Sequence, residues 1–142
     1  MIDLRVKRFF FDRLAVISKV DAATRRVLSK FGAFVWRSAK SSIRKRKKPS
    51  APGKPPRSHT GLLRNFIFFA FDPNRRSVVI GPVRLMNRDG SVPSLLEYGG
   101  TARRRKRDGK MGTVMYKARP YMGPAFEKEK ESLPSLWRDS IK

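Results

Sequence analysis

The sequence predicts an α+β domain, and three features of its patterning predict it. Apolar side chains recur in steps of three and four between residues 12 and 48. Two runs rich in aromatic and β-branched residues flank a proline-containing turn between 65 and 80. From residue 121 onward, apolar and charged residues alternate again at helical spacing. The chain's 142 residues suit one domain with one core, spanning 1–142. Its 39% hydrophobic and 11% aromatic content is enough to fold.

The first helical stretch presents Val16, Val20, Ala23, Val27, Phe31, Phe34 and Ser38 on one face. Ile17, Leu28, Val35 and Ala39 widen that face into a core-facing stripe. Asp21 offers a carboxylate suited to cap a new helix start. The expectation is a short helix over 12–19 and a long one over 22–46, whose terminal Lys and Arg suit the helix dipole. Residues 47–60 hold four prolines, one glycine and no large apolar residue, so they predict an extended, exposed arm. Asn65–Phe71 and Ser77–Ile80 predict a hairpin. Asp72-Pro73-Asn74-Arg75 supplies its turn and Gly81-Pro82 ends it. Residues 83–91 then form a connection with a further turn at Asp89-Gly90.

Val92–Tyr98 reads as a short helix with Leu95 and Leu96 turned inward and Gly99-Gly100 stopping it. Residues 101–119 read as a basic β-hairpin or a long loop, with Thr113–Tyr116 strand-like. After Gly123-Pro124 comes a final helix whose apolar members are Ala125, Phe126, Leu133, Leu136, Trp137 and Ile141. Pro134 is expected to kink or restart it.

The net charge of +23 comes from 34 basic and 11 acidic side chains, and it is unevenly placed. Residues 37–57 hold nine basic and no acidic residues, and residues 99–120 hold eight basic and one acidic. Residues 121–142 hold four of each, so the charge is a property of two segments and not of the whole surface. Two exposed basic arms follow, 47–59 and 101–112, expected to become ordered only in an assembled particle. Their candidate contact residues are Arg44, Lys45, Arg46, Lys47, Lys48, Lys54 and Arg57 in the first region, and Arg103, Arg104, Arg105, Lys106 and Arg107 in the second. Such clusters bind polyanions without reading sequence. No Phe, Tyr or Trp lies in 37–57 or in 99–115, so base stacking is not indicated. Phosphate contact and docking on an acidic protein surface both remain open at this level.

Catalysis is not expected. The one histidine, His59, lies between Ser58 and Thr60 in the proline-rich arm, and there is no cysteine to act as a nucleophile or a thiolate ligand. Asp12 and Asp21 suit helix starts, while Asp72, Asp89 and Asp108 precede Pro or Gly in turns. That leaves no recurring pair of carboxylates for two-metal phosphodiester chemistry. No phosphate-cradling glycine loop is present, and no cofactor is expected. The longest apolar runs fall short of a bilayer span, and charges interrupt the N-terminal apolar residues. A soluble intracellular protein without a membrane partner is therefore expected.

The order of three short motifs carries a resemblance. Ser58-His59-Thr60-Gly61-Leu62-Leu63-Arg64 opens the first long strand. Leu95-Leu96-Glu97-Tyr98-Gly99-Gly100-Thr101 follows, and Ala118-Arg119-Pro120-Tyr121-Met122-Gly123-Pro124-Ala125 opens the last helix. This order resembles the tail-completion, or head–tail joining, proteins of the neck of tailed bacteriophages, a minor tail component type. The likeness runs from the long helix to the end of the chain. Its framework residues here are Thr60, Gly61, Leu62, Glu97, Tyr98, Gly99, Arg119, Pro120 and Pro124. Glu97 and Arg119 are expected to pair and tie the later two motifs together. Tyr121, Met122 and Phe126 are expected in the core or at subunit contacts.

The resemblance implies a small β-sheet packed by a long N-terminal helix and a C-terminal helix, with extended basic loops. It also implies a non-enzymatic virion structural protein, made in the host bacterial cytoplasm. Such a protein joins a homo-oligomeric ring of six or twelve copies that completes the tail and meets the head connector around the DNA channel. Partners would be the chain itself, neighbouring neck and tail-tube proteins and, nonspecifically, DNA in the channel. The doubled Gly99-Gly100 and the run Arg103–Arg107 depart from the general pattern and leave the exact neck position open. The alternative is a stand-alone, sequence-nonspecific nucleic-acid-binding protein.

Overall fold

A computed structural model describes residues 12–83, 92–105, 107, 109–138 and 140. Helix α1 is one continuous element, Arg13–Ser42, and not two. Asp12 caps it, its carboxylate accepting from the Ala15 amide at 3.0 Å. Asp21 has no capping role; it sits inside the helix and pairs with Arg76 at 3.1 Å. The expected break fails because a tertiary partner takes the carboxylate and the backbone runs on undisturbed.

The buried stripe of α1 is Ala23, Val27, Phe31, Val35 and Ala39, continued by Ile43 just beyond the helix. These are uniform steps of four, and each overshoots a full turn by about 40°. The stripe therefore winds around the helix, and different elements cover its successive turns. Phe34 and Ser38 are only half-buried because the core follows Val35 and Ala39 instead. At the N-terminal end Val16, Ile17 and Val20 remain exposed, so that part of the expected face has no cover among the described residues.

Strands β1 (Arg44–Lys45) and β2 (Arg57–Ser58) make a short parallel pair. A single helical turn, α2 (Leu62–Asn65), precedes the hairpin, so the strand opens at Ile67 and not at Asn65. Gly61 begins that turn with φ +85°, the left-handed backbone that glycine adopts without strain. Ser58 Oγ accepts from the Gly61 amide at 2.9 Å and fixes the approach to α2.

Strands β3 (Ile67–Asp72) and β4 (Ser77–Pro82) form an antiparallel hairpin, with Ile67 opposite Pro82 and Asp72 opposite Ser77. The Asp72 carboxylate accepts from the amides of Asn74 and Arg75 and closes the turn. This hairpin packs on α1 at Gly32, where a Cβ would stand 2.7 Å from Val78 Cγ2 and 3.0 Å from Phe69 Cδ2. The Trp36 indole N–H donates to the Ile67 carbonyl at 2.7 Å and pins the first strand residue to the helix. Of the expected 83–91 connection, residues 84–91 lie outside the described residues.

Helix α3 (Val92–Tyr98) is stopped by Gly99, whose amide donates to the Leu95 carbonyl and whose φ is +76°. Strands β5 (Gly100–Arg105) and β6 (Met111–Tyr116) form the basic hairpin. Helix α4 (Met122–Lys130) and helix α5 (Leu133–Arg138) close the fold, with the restart falling just before Pro134. Phe126 stacks edge-on to Phe31 with ring centroids 5.7 Å apart, and it stays partly exposed, as does Trp137. Ile141 lies outside the described residues.

The fold is α+β. The core gathers Phe31, Val35, Ala39, Ile43, Ile67, Tyr121 and Ala125, with Leu96, Met122, Leu133 and Leu136 packed against it. Instead of one small sheet, the described residues form three separate two-stranded sheets. Only β3–β4 lies broadly against α1; β1–β2 and β5–β6 stand to the side, carrying the basic residues. No helix among the described residues is long and apolar enough to cross a membrane.

Candidate interaction surface

A polar site that joins distant segments is centred on Glu97. Helix α4 begins with Tyr121 at its cap position, whose side chain makes no capping bond. Glu97 supplies the missing acceptors from a different element. Its Oε2 accepts from the amides of Tyr121 at 2.9 Å and Met122 at 3.0 Å, and its Oε1 from Gly123 at 2.7 Å. Three amides that a helix start leaves unpaired thus meet one carboxylate, and the negative charge sits at the positive end of the helix dipole. Gly123 leaves room for the carboxylate, since a Cβ there would stand 3.1 Å from Glu97 Oε1. Tyr121 itself is buried at the centre of the core. Burial first, and the Glu97 charge second, push its phenol up to about 12.

The expected Glu97–Arg119 pairing is replaced by this arrangement. Arg119 turns the other way: its Nε donates to the Ser50 carbonyl at 3.0 Å, while its backbone amide donates to Leu96. The two motifs are tied together as expected, but through backbone amides. Residue types carry no signal for such a bond.

Arg119 also determines the state of the first basic segment. The loop between β1 and β2 is not a free arm. Its ends are joined by the parallel pair, Ser50 is held by Arg119, and the Gly53 amide donates to the Ala118 carbonyl at 2.9 Å. Ser50 and Pro56 are buried, so a segment without large apolar residues still packs through small ones. The Ser50 hydroxyl is buried and has no hydrogen-bond partner among the described residues.

The loop exposes the cations it was expected to expose. Arg44, Lys45, Arg46, Lys47, Lys48, Lys54 and Arg57 all face solvent. Arg44 and Arg57 are direct partners in the parallel register. Like charges set opposite one another destabilise a sheet pair, and a bound polyanion would relieve that repulsion.

In the second segment Arg103, Arg104 and Arg105 occupy β5, and all three are exposed. Arg107 follows in the turn, also exposed, while Lys106 lies outside the described residues. Arg105 Nε donates to the Gly109 carbonyl at 3.2 Å, holding the turn closed. None of the ion pairs between described residues reaches Arg103, Arg104 or Arg105. Among the framework residues, Thr60 Oγ1 accepts from the Leu62 amide at 3.4 Å, a local bond. A Cβ at Gly99 would stand 2.9 Å from the Tyr116 carbonyl oxygen, so this glycine lets β6 pass close to the end of α3. Leu62 and Tyr98 are exposed, and Pro120 and Pro124 flank the start of α4.

Sequence reasoning missed the roles of Ser50 and Gly53, which act through backbone atoms. Among the described residues no group of three or more His, Cys, Asp or Glu could hold a metal ion. Comparison with family models, with curated proteins and with solved structures gives no match for this chain.

Proposed function

We propose that this chain is a non-enzymatic structural subunit of a tailed-phage neck. In this reading it assembles as a homo-oligomeric ring of six or twelve copies that completes the tail and joins it to the head connector around the DNA channel. The observation that carries the reading is the junction at Glu97. The motif around Glu97 and the motif around Tyr121, some two dozen residues apart, are bonded into one unit, and Arg119 extends that unit to Ser50 at the base of the basic loop. The later two of the three motifs that carry the family resemblance therefore do one physical job together: they hold the C-terminal helix and the basic loop in fixed relation. A ring subunit needs such a framework, because each copy must present its contact surfaces at the same angle. The two basic elements supply contacts that repeat around a ring, so individually weak interactions add up.

The like-charged pair Arg44–Arg57 favours a second reading, a stand-alone binder of nucleic acid. Co-sedimentation with purified tail tubes, alongside a salt titration of duplex DNA binding, tests both. The neck reading expects the chain to pellet with tubes at physiological salt and to bind DNA only weakly. Tight, steeply salt-dependent DNA binding with no tube association would replace it by the second reading.

A further inference from the structure

The β3–β4 hairpin turns one face to α1 and leaves the other uncovered. Directly opposed residues of an antiparallel pair share a face, and successive residues alternate between faces. Phe69 and Val78 lie against Gly32 of α1, so Phe68, Ala70, Val79 and Gly81 belong to the outer face. There Phe68 is 52% and Val79 63% exposed, and Val83, just past β4, is 50% exposed. The register sets Phe68 opposite Gly81 and Ala70 opposite Val79. The two bulky side chains therefore stand on one diagonal of a four-residue patch, and the two small residues on the other. A Cβ added at Gly81 would meet nothing within 4 Å, so the Phe68 ring does not fold over this glycine and the space above it is open. The patch is also uncharged, on a chain of net +23. The charged residues of 67–82 are Asp72, Arg75 and Arg76, all at the turn. Arg75 faces Asp72 at 4.0 Å and Arg76 pairs with Asp21 of α1 at 3.1 Å, so these charges cancel.

We propose that this outer face is a contact between two copies of the chain, packed sheet on sheet about a two-fold axis. The diagonal pattern is self-complementary. An axis midway between two such patches and running along the strands sets Phe68 of one copy over Gly81 of the other, and Val79 over Ala70. An axis running across the strands sets Phe68 over Ala70 and Val79 over Gly81. Either way each bulky side chain meets a small residue, as close sheet-on-sheet packing requires. The charge balance points to the same occupant. Two copies of so cationic a chain repel one another, and a neutral apolar patch lets them approach at the least electrostatic cost. Nucleic acid finds no cation on this patch to pair with its phosphates. The exposed apolar area is on the order of 300 Å² per copy, against roughly 800 Å² per partner in a stable complex, so the dimer is weak, with a Kd of about 100 µM. A six-copy ring is held by head-to-tail contacts, so this two-fold contact does not rest on the neck reading and stands if that reading falls.

Sedimentation equilibrium of the full, nuclease-treated chain tests this over about 10–500 µM, where such a dimer forms. Raising NaCl from about 0.05 to 0.5 M should tighten it severalfold by screening the net charge. Association bridged by a shared polyanion would instead weaken with salt. Gly81→Leu fills the open space and should weaken the dimer about tenfold or more, while the single chain has room for the added side chain. A second substitution should then restore affinity to within about threefold by returning a small residue beneath the new leucine. Phe68→Ala does so if the axis runs along the strands, and Val79→Ala if it runs across them. Circular dichroism on each variant checks that the fold is intact. A chain that stays monomeric up to about 500 µM at every salt would overturn the proposal and leave the face to a different protein. A dimer weakened by salt, one indifferent to Gly81→Leu, or failure of both second substitutions to restore it would overturn it as well.

Discussion

Replacing Glu97 by Gln should lower stability by about 2 kcal/mol, and the structure shows where that figure comes from. A glutamine retains one accepting oxygen. Placed at the Oε2 position, it still serves the amides of Tyr121 and Met122, but as a neutral acceptor. Charge-assisted bonds contribute about 1.5–3 kcal/mol each and neutral ones about 0.5–1.5, so the downgrade costs roughly 1 kcal/mol after allowing for partial exposure. The Gly123 amide then faces an NH2 group and must turn to water, for about 0.5 kcal/mol. Loss of the charge at the start of α4 adds about 0.3–1 kcal/mol. For a chain of this size the total corresponds to a fall in Tm of about 6–10 °C. Thermal unfolding followed by circular dichroism measures it, and amide exchange at Tyr121, Met122 and Gly123 localises it. Glu97→Ala removes all three bonds and should cost about 3–4 kcal/mol. A Gln variant within about 0.5 kcal/mol of the parent, with exchange at those amides unchanged, would refute the capping argument.

Four further outcomes follow from the packing and the titration of single residues. Gly32→Ala should destabilise by about 1–2 kcal/mol by chevron or equilibrium denaturation, because crowding against Val78 and Phe69 outweighs the gain of about 1 kcal/mol in helix propensity. Tyr121 titrates near 10 when unfolded and about 12 when folded, so its share of stability is intact below pH 10 and lost as pH rises toward 12. Denaturation from pH 9 to 12 should therefore show Tyr121→Phe gaining about 2–3 kcal/mol relative to the parent chain over that range. Ser50→Ala should leave stability unchanged or raise it by up to about 1 kcal/mol, since it removes an unpartnered hydroxyl. Arg119→Gln should instead make the Gly53 amide exchange faster by loosening the loop.

Much of the framework was legible in the sequence because it is written in periodicity and turn chemistry. The long helix, the β3–β4 hairpin with its Asp72 turn, the stop at Gly99 and the restart at Pro134 all follow from rules that act within a few residues. What escaped depends on partners far along the chain. Asp12 and Asp21 look equally able to cap a helix, and Arg76, 55 residues away, takes the second of them. The basic loop looked like an arm because composition registers neither a carbonyl held by Arg119 nor a buried Pro56. Glu97 stood out as a tie between two motifs, but its partners are amides, which every residue but proline has. Side-chain chemistry alone points it to Arg119, the cation of the other motif.

Negative-stain imaging of the purified chain, alone and mixed with tail tubes, tests the neck assignment most directly. The account predicts closed rings of uniform copy number seated on one end of each tube, lost when Glu97→Ala uncouples the C-terminal helix from its cap. Dispersed monomers that coat DNA and ignore the tubes would contradict it.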